Sequence, residues 1–318
     1  MQVLSRWARA VLASSVAFVC ASVTAQERPS VGDGNAATIS SRRTKAKETS
    51  PPPSLRVDVN RVFIPVTVTD QNDNKIEGLE QRQFRIFEDG VEQQISEFFE
   101  DEAPVSMGLV LDSSRSMREK FDLSRQAIGA FLRLCPPNDE YFLVTVQDRP
   151  ELAYAFTDQV EDIEAAMAVK AKGLTALYDG MYLAINHSRR GLYSQHALLV
   201  LTDGDDNNSR YSESEIRVLL RESGVRIFSV SVLGRSGSLE RFSEESGGRA
   251  FQAHKLDELP ELAHKVSNLI HGEYVLGFTP PNRPRDGKYH TIKVQLAPAE
   301  GTKALHVTWR HGYYAPVQ

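Results

Sequence analysis

The sequence of 318 residues contains only two cysteines, Cys20 and Cys135, so it holds no disulfide framework. It also lacks a basic block: 37 Lys and Arg residues stand against 42 Asp and Glu residues, for a net charge of −5. Proteins that bind nucleic acids concentrate positive charge to neutralise phosphates, so this composition argues against a nucleic-acid partner. With 41% hydrophobic and 25% charged residues, the composition is that of an ordinary soluble globular protein.

Long hydrophobic runs are also missing after the N-terminal segment. The first 25 residues combine Arg6 and Arg9, an apolar stretch over 10–20 and small residues that end at Ala25. This order is typical of a cleaved signal peptide over 1–25, and the apolar stretch is shorter than the roughly 20 residues of a membrane-spanning helix. We therefore expect an exported protein in the periplasm, at the cell surface or in the medium, with no transmembrane segment after cleavage.

The remainder of the chain divides into segments of different periodicity. Residues 26–54 are polar and rich in proline, which predicts a disordered linker. Residues 55–102 and 272–318 alternate apolar and polar positions as strands do, whereas 103–271 alternates buried strands with amphipathic helices. Each all-β segment is too short for a core of its own. We therefore predict an α/β fold: a doubly wound, mostly parallel sheet inserted into a small all-β, sandwich-like domain that both flanks build.

Local signals place the individual elements. In the flanks, the pattern predicts a tight hairpin at Glu88-Asp89-Gly90 and one returning strand over 91–99. Cys135 lies at the end of a predicted helix, which favours a buried, unreactive thiol. The strands predicted for the α/β segment cover 105–111, 141–146, 197–201 and 225–232, and the helices cover 121–134, 160–169, 176–187, 212–223, 239–246 and 256–270.

Oxygen-bearing side chains follow the buried strands of the predicted sheet. Asp112, Ser114 and Ser116 come directly after the first strand, Asp203 follows the strand over 197–201, and Thr175 opens a helix between them. In an open α/β sheet, ligands bind outside the carboxyl ends of the strands, so these five side chains are expected at one edge. Two carboxylates and three hydroxyls are hard oxygen ligands that suit Mg²⁺, with Mn²⁺ or Ca²⁺ as further possibilities.

The same residues resemble the metal-ion-dependent adhesion site (MIDAS) of the von Willebrand factor A-type (vWA) domains. That family has D-x-S-x-S after its first strand, a threonine in a later loop and an aspartate after the central strand, and all five positions are present here. The resemblance covers about 103–271 and implies a Rossmann-like sheet. It also implies that the two serines and Thr175 contact the metal directly or nearly so, and that the aspartates act partly through water. The flanks resemble an exported bacterial family of vWA-related proteins, of the kind found in Acidobacteria, through the hairpin over 86–90 and the ending Gly-Tyr-Tyr-Ala-Pro over 312–316.

This resemblance implies a non-enzymatic binding module. A divalent cation, first of all Mg²⁺, would be coordinated by the five side chains and would accept an exposed Asp or Glu of a partner protein. We place Arg115, Asp205 and Asp206 at the rim that such a partner would touch. The partner's identity and the oligomeric state are not encoded in any recognisable motif.

Two other uses of the same cation stay open at this point. A metal-dependent hydrolase would use the cation to polarise a carbonyl or phosphoryl oxygen, and would need a base for the attacking water. Only Glu119, Asp205 and Asp206 are acidic and near in sequence, and the chain lacks H-E-x-x-H, G-x-S-x-G and Walker A patterns. The third alternative is a cation that serves stability alone.

Overall fold

The computed structural model describes residues 61–204, 206–281, 286–297 and 305–317, all of them within one unit of the chain, Val57–Gln318. The predicted signal peptide and linker, and the start of the first β segment, lie outside the described residues. No helix in the described ranges has the length and apolarity needed to cross a membrane.

The strands are β1 (Val62–Thr69), β2 (Phe84–Glu88), β3 (Val91–Gln93), β4 (Glu97–Asp101), β5 (Val105–Asp112), β6 (Glu140–Val146), β7 (Glu151–Thr157), β8 (Gln195–Thr202), β9 (Arg226–Val232), β10 (Ala250–Ala253), β11 (Glu273–Phe278), β12 (Tyr289–Leu296), β13 (His306–Trp309) and β14 (Gly312–Tyr314). The α-helices are α1 (Phe121–Leu134), α2 (Val160–Ala166), α3 (Leu177–Ser188), α4 (Glu213–Ser223), α5 (Gly237–Ser246) and α6 (Leu259–Ile270).

The central sheet has six strands in the order β10-β9-β8-β5-β6-β7, and every pairing except β6 with β7 is parallel. Its middle strands β5 and β8 contain continuous apolar runs, over 107–111 and 197–201, because both of their faces are covered. Side chains such as Leu109 pack on one face against α1 and α6, and side chains such as Val200 pack on the other against α3, α4 and α5. The predicted doubly wound α/β fold is confirmed.

Helix α4 shows how local sequence sets the element bounds. The Ser212 hydroxyl accepts a hydrogen bond from the Glu215 N–H, and the Glu215 carboxylate accepts one from the Ser212 N–H, which together form a capping box. The helix ends where Gly224 adopts a left-handed backbone with φ of 72°, a conformation that costs glycine little.

The remaining strands form two antiparallel sheets, in the orders β13-β1-β11-β4 and β14-β12-β2-β3. Strands from the two flanks pair directly: β1 with β11, and β2 with β12. Their inward side chains, including Ile64, Ile86 and Tyr274, form one shared hydrophobic core. The hairpin between β2 and β3 turns at Asp89 and Gly90, whose φ angles of 46° and 82° suit a tight hairpin turn.

Several elements differ from the sequence prediction. The strand predicted over 91–99 is two strands, because β3 pairs with β2 whereas β4 pairs with β11 in the other sheet. The helix predicted over 256–270 starts as a short 3₁₀ turn at Leu256–Glu258, and α6 follows with Pro260 in its first turn, where a missing N–H is tolerated. Strands β7 and β10 were not predicted: they are the edges of the central sheet, and β7 pairs with an irregular register.

Candidate metal centre

The centre of the site is the carboxyl edge of two neighbouring parallel strands. Asp112 is the last residue of β5, and Asp203 directly follows Thr202 at the end of β8. Because β5 and β8 pair in parallel with Leu111 opposite Leu201, their ends bring the two aspartates to the same place. The sequence-based expectation that these carboxylates share one edge thus follows from the strand order.

Asp112 is fully buried and held from two sides. One carboxylate oxygen accepts the Ser114 N–H at 2.8 Å, and the other accepts the Thr202 hydroxyl at 2.6 Å. Burial raises the pKa of the Asp112 carboxyl above its ordinary value. The hydrogen bonds from Thr202 and Ser114 oppose this shift, and the negative charge of Asp203 adds to it. Two carboxylates in this position therefore favour a cation between them.

A chain of hydroxyl groups links the D-x-S-x-S segment to Asp203. The Ser114 and Ser116 hydroxyl oxygens lie 3.0 Å apart, and the Ser116 hydroxyl donates to Asp203 Oδ1 at 2.8 Å. The second oxygen of Asp203 accepts a hydrogen bond from the Lys120 ammonium at 2.6 Å. Four of the five predicted ligands thus form one connected cluster.

Thr175 lies in the loop beside this cluster. Its N–H donates to the Asn207 side-chain oxygen at 2.9 Å, and its carbonyl accepts the Asn207 N–H at 3.1 Å. The loop is tied to the serine segment because the Arg115 N–H donates to the Gly173 carbonyl at 3.1 Å. Within the described residues, the Thr175 hydroxyl has no hydrogen bond to the other four predicted ligands.

The three predicted rim residues have different surroundings. The Arg115 side chain is exposed beside the serines. Asp206 is turned toward the protein: its carboxylate accepts the Tyr178 N–H at 3.2 Å and the Ser209 N–H at 3.3 Å, and so it fixes the loop over the first turn of α3. Asp205 lies outside the described residues.

Three further residues shape the site, and sequence reasoning did not assign them a role. Thr202 orients Asp112, and Lys120 pairs with Asp203. Asp179, buried near the start of α3, accepts the N–H groups of Arg210 and Tyr211 at 2.9 and 3.1 Å and holds the loop that follows Asp203. The sequence contains one indication that Lys120 has a role. It directly precedes a predicted helix, at a position that usually carries a hydrogen-bond acceptor, and lysine has none.

The donor set fits a hard divalent cation better than a soft one. At the edge of the sheet, carboxylate and hydroxyl oxygens lie 2.8 to 3.0 Å apart and form hydrogen bonds with one another. A bound cation would take the place of these hydrogen bonds as the partner of the same oxygens. The described ranges contain no group of three or more His, Cys, Asp or Glu that could hold a metal, so any cation here depends on the hydroxyls.

Several solved structures are similar to this chain. Similar solved structures include proximal thread matrix protein 1 from the mussel byssus with a zinc-occupied MIDAS motif (23% identity, 57% of this chain and 50% of that chain covered, TM-score 0.49). They also include BatB from Bacteroides thetaiotaomicron (13% identity, 52% and 98% covered, TM-score 0.44) and a von Willebrand factor type A protein from Catenulispora acidiphila (10% identity, 82% and 75% covered, TM-score 0.48). The chain spans half the length of the mussel protein.

No curated protein matches the sequence. Residues 107–265, which are half of the chain, match the von Willebrand factor type A domain. This segment contains the central sheet, apart from the first two residues of β5, and every residue of the cluster described above. The chain therefore belongs to the von Willebrand factor type A domain family.

Proposed function

We propose that the protein is a non-enzymatic binding module in which a divalent cation captures an acidic side chain of a partner protein. The observation that carries this proposal is the connected cluster of Asp112, Ser114, Ser116 and Asp203 at the carboxyl edge of the central sheet. Thr175 completes the proposed ligand set from the neighbouring loop. The cation supplies a positive centre with an open coordination position, and a carboxylate is the ligand that a hard cation prefers there.

The arrangement of the site supports this function. Asp112 is oriented by Thr202 and Ser114, so its carboxylate is fixed before any ligand arrives. Ser116 and Arg115 are exposed, and so they lie where an approaching protein would make contact. Arg115 would attract the same acidic group that the cation binds.

The cation and the location are also part of the proposal. Mg²⁺ is the first candidate because the ligands are hard oxygens and magnesium keeps several waters; Mn²⁺ and Ca²⁺ fit the same ligand types. We further propose that residues 1–25 direct export and that the flanking sheets belong to an exported bacterial vWA-related family. The domain bounds proposed for this arrangement are 55–102 and 272–318 for the β domain and 103–271 for the vWA domain.

Thermal unfolding tests the cation site directly. A ligand that binds only the folded state at a hundred times its dissociation constant stabilises by about 2.7 kcal/mol, which in a domain of this size raises Tm by roughly 5–10 °C. We expect this rise with Mg²⁺ or Mn²⁺ for the wild type, and none for Asp112→Ala or Ser116→Ala. Asp122→Asn is the matched control, because it removes one exposed carboxylate of α1 and leaves the cluster untouched. An equal rise in all four proteins would refute the assignment.

Capture from an envelope extract, with Mg²⁺ and then with a chelator, tests the binding function. We expect a protein that is retained with Mg²⁺, released by the chelator and not retained by Ser116→Ala. Replacement of the contacting Asp or Glu in that partner should abolish the capture. Cation-dependent stabilisation without any cation-dependent capture would favour a purely structural cation instead.

A further inference from the structure

Lys120 occupies a position that local helix rules disfavour. It is the N-cap residue of α1, and its side chain makes no capping hydrogen bond. Ser, Thr, Asp and Asn are preferred at this position because their oxygens satisfy free backbone N–H groups. A positive charge at a helix N-terminus also meets the positive end of the helix dipole. A residue that breaks both local preferences requires a compensating contact elsewhere.

That contact is Asp203. The Lys120 ammonium lies 2.6 Å from Asp203 Oδ2, and the two side chains are 22% and 4% exposed. The other oxygen of Asp203 accepts the Ser116 hydroxyl. Both oxygens of this predicted metal ligand are thus engaged, one by another predicted ligand and one by the protein's own cation.

We infer that Lys120 is the counter-ion of Asp203 in the cation-free protein, and that divalent cations bind by exchange with its ammonium. This inference rests on the proposed function, since it concerns the same site. A divalent cation bound to Asp203 and an ammonium 2.6 Å from the same carboxylate repel each other, so the two do not share it at full strength. The lysine stem is flexible and partly exposed, so the ammonium can move into water when the cation arrives.

The exchange has two consequences for the protein. Without a divalent cation, Asp203 keeps a partner, so the site does not leave an uncompensated carboxylate buried at the sheet edge. With a cation, part of the binding free energy is spent on separating Lys120 from Asp203, which weakens the apparent affinity. Lys120 thereby sets the cation concentration at which the site fills, and with it the concentration at which a partner is captured.

The test compares Lys120→Met with Arg118→Met. Both substitutions remove one positive charge near the start of α1, but Arg118 is exposed and only Lys120 contacts Asp203. We expect Lys120→Met to bind Mg²⁺ or Mn²⁺ at least about tenfold more tightly than the wild type in titration calorimetry, and Arg118→Met to stay within about threefold of it. In chelator, Tm of Lys120→Met should fall below that of Arg118→Met, and the difference should vanish at saturating cation.

Lys120→Arg serves as the second variant, since it keeps the charge and should bind as weakly as the wild type. Equal cation affinity in Lys120→Met, Arg118→Met and the wild type would overturn the exchange and leave the proposed function standing. Weaker binding in Lys120→Met would overturn it as well and make Lys120 a helper of the cation. Absence of saturable binding in every protein would overturn both the exchange and the proposed cation site.

Discussion

A buried ion pair joins the central sheet to the antiparallel sheets. Arg226, the first residue of β9, and Glu273, the first residue of β11, are 4% and 2% exposed and form a salt bridge. Arg226 also donates to the Ile270 carbonyl at 3.1 Å, and Glu273 accepts the Thr67 hydroxyl at 3.3 Å. Each charge is thus removed from water and paired with the other.

We expect Glu273→Leu to reduce the free energy of unfolding by about 3–5 kcal/mol, because it leaves a buried guanidinium without a counter-charge. The polar contacts that remain to Arg226 are uncharged, namely the Ile270 carbonyl and the Gln195 side chain at 3.3 Å. A loss of this size is a large part of the roughly 5–15 kcal/mol that a folded domain typically has. Arg226→Met should cost a similar amount, since it leaves the buried carboxylate.

Urea unfolding of the two single variants and of Arg226→Met/Glu273→Leu completes a double-mutant cycle. Because an apolar pair no longer requires desolvation of charge, the double variant should be far more stable than the sum of the single losses predicts. The control is Glu92→Ala at the exposed pair with Arg85, whose side chains are 48% and 53% exposed; because water screens this pair, the variant should cost far less stability than Glu273→Leu. The reasoning is wrong if Glu273→Leu costs no more than Glu92→Ala, or if the two single losses simply add.

Two further predictions concern titratable groups. Burial, followed by the negative charge of Asp139, raises the pKa of the Cys135 thiol to about 12. Iodoacetamide at about pH 8 should therefore modify this thiol only after unfolding, because the reactive thiolate is not formed in the native protein. Rapid alkylation of Cys135 in the native protein would contradict this prediction. Burial alone lowers the pKa of His290, but hydrogen bonds to Asp89 and Asp286 raise it overall. The stability that protonated His290 contributes is therefore complete below its unfolded pKa of about 6.5 and is lost as the pH rises through the higher folded value. In thermal unfolding, the Tm advantage of the wild type over His290→Gln should shrink over that range, and a constant difference would argue against the linkage.

The sequence was sufficient to predict the four inner strands of the central sheet and to place Asp112 and Asp203 at the same edge. Strands β5 and β8 contain uninterrupted apolar runs, over 107–111 and 197–201, and such runs identify buried parallel strands without any knowledge of their neighbours. Because Asp112 and Asp203 directly follow these runs, their meeting at one edge depends only on the two strands being close in the sheet.

Features that depend on distant partners could not be predicted in the same way. The division of 91–101 into β3 and β4 is decided by pairing with β2 and β11, and β11 lies more than 170 residues away along the chain. The contact between Lys120 and Asp203 likewise joins residues 83 positions apart. Strand β7 lies at a sheet edge and has mostly half-buried side chains without a regular alternation of exposure, so its sequence carries a weaker strand signal than that of a central strand.

The Arg226–Glu273 ion pair and the cluster around Asp112 and Asp203 lie at different edges of the central sheet. The antiparallel sheets and the proposed partner can therefore contact different parts of the α/β domain. In a parallel sheet all strands begin at one edge and end at the other. Arg226 begins β9 and pairs with Glu273 at the amino edge, whereas Asp112 ends β5 at the carboxyl edge. Within the described residues, this ion pair to the antiparallel sheets therefore lies at the edge opposite to the proposed cation.

The same junction bears on any movement of α6 on ligand capture. The segment His271-Gly272 between α6 and β11 is the place where a shift of α6 would be absorbed. Here the Arg226 guanidinium holds the Ile270 carbonyl, and the His271 ring lies 2.8 Å from the buried Asp139 carboxylate. A shift of α6 along its axis would have to break both contacts. The free-energy cost of the shift therefore includes the loss of contacts in the buried ion-pair network that stabilises the fold. Coupling between the two edges is therefore small unless the partner's binding free energy exceeds that cost.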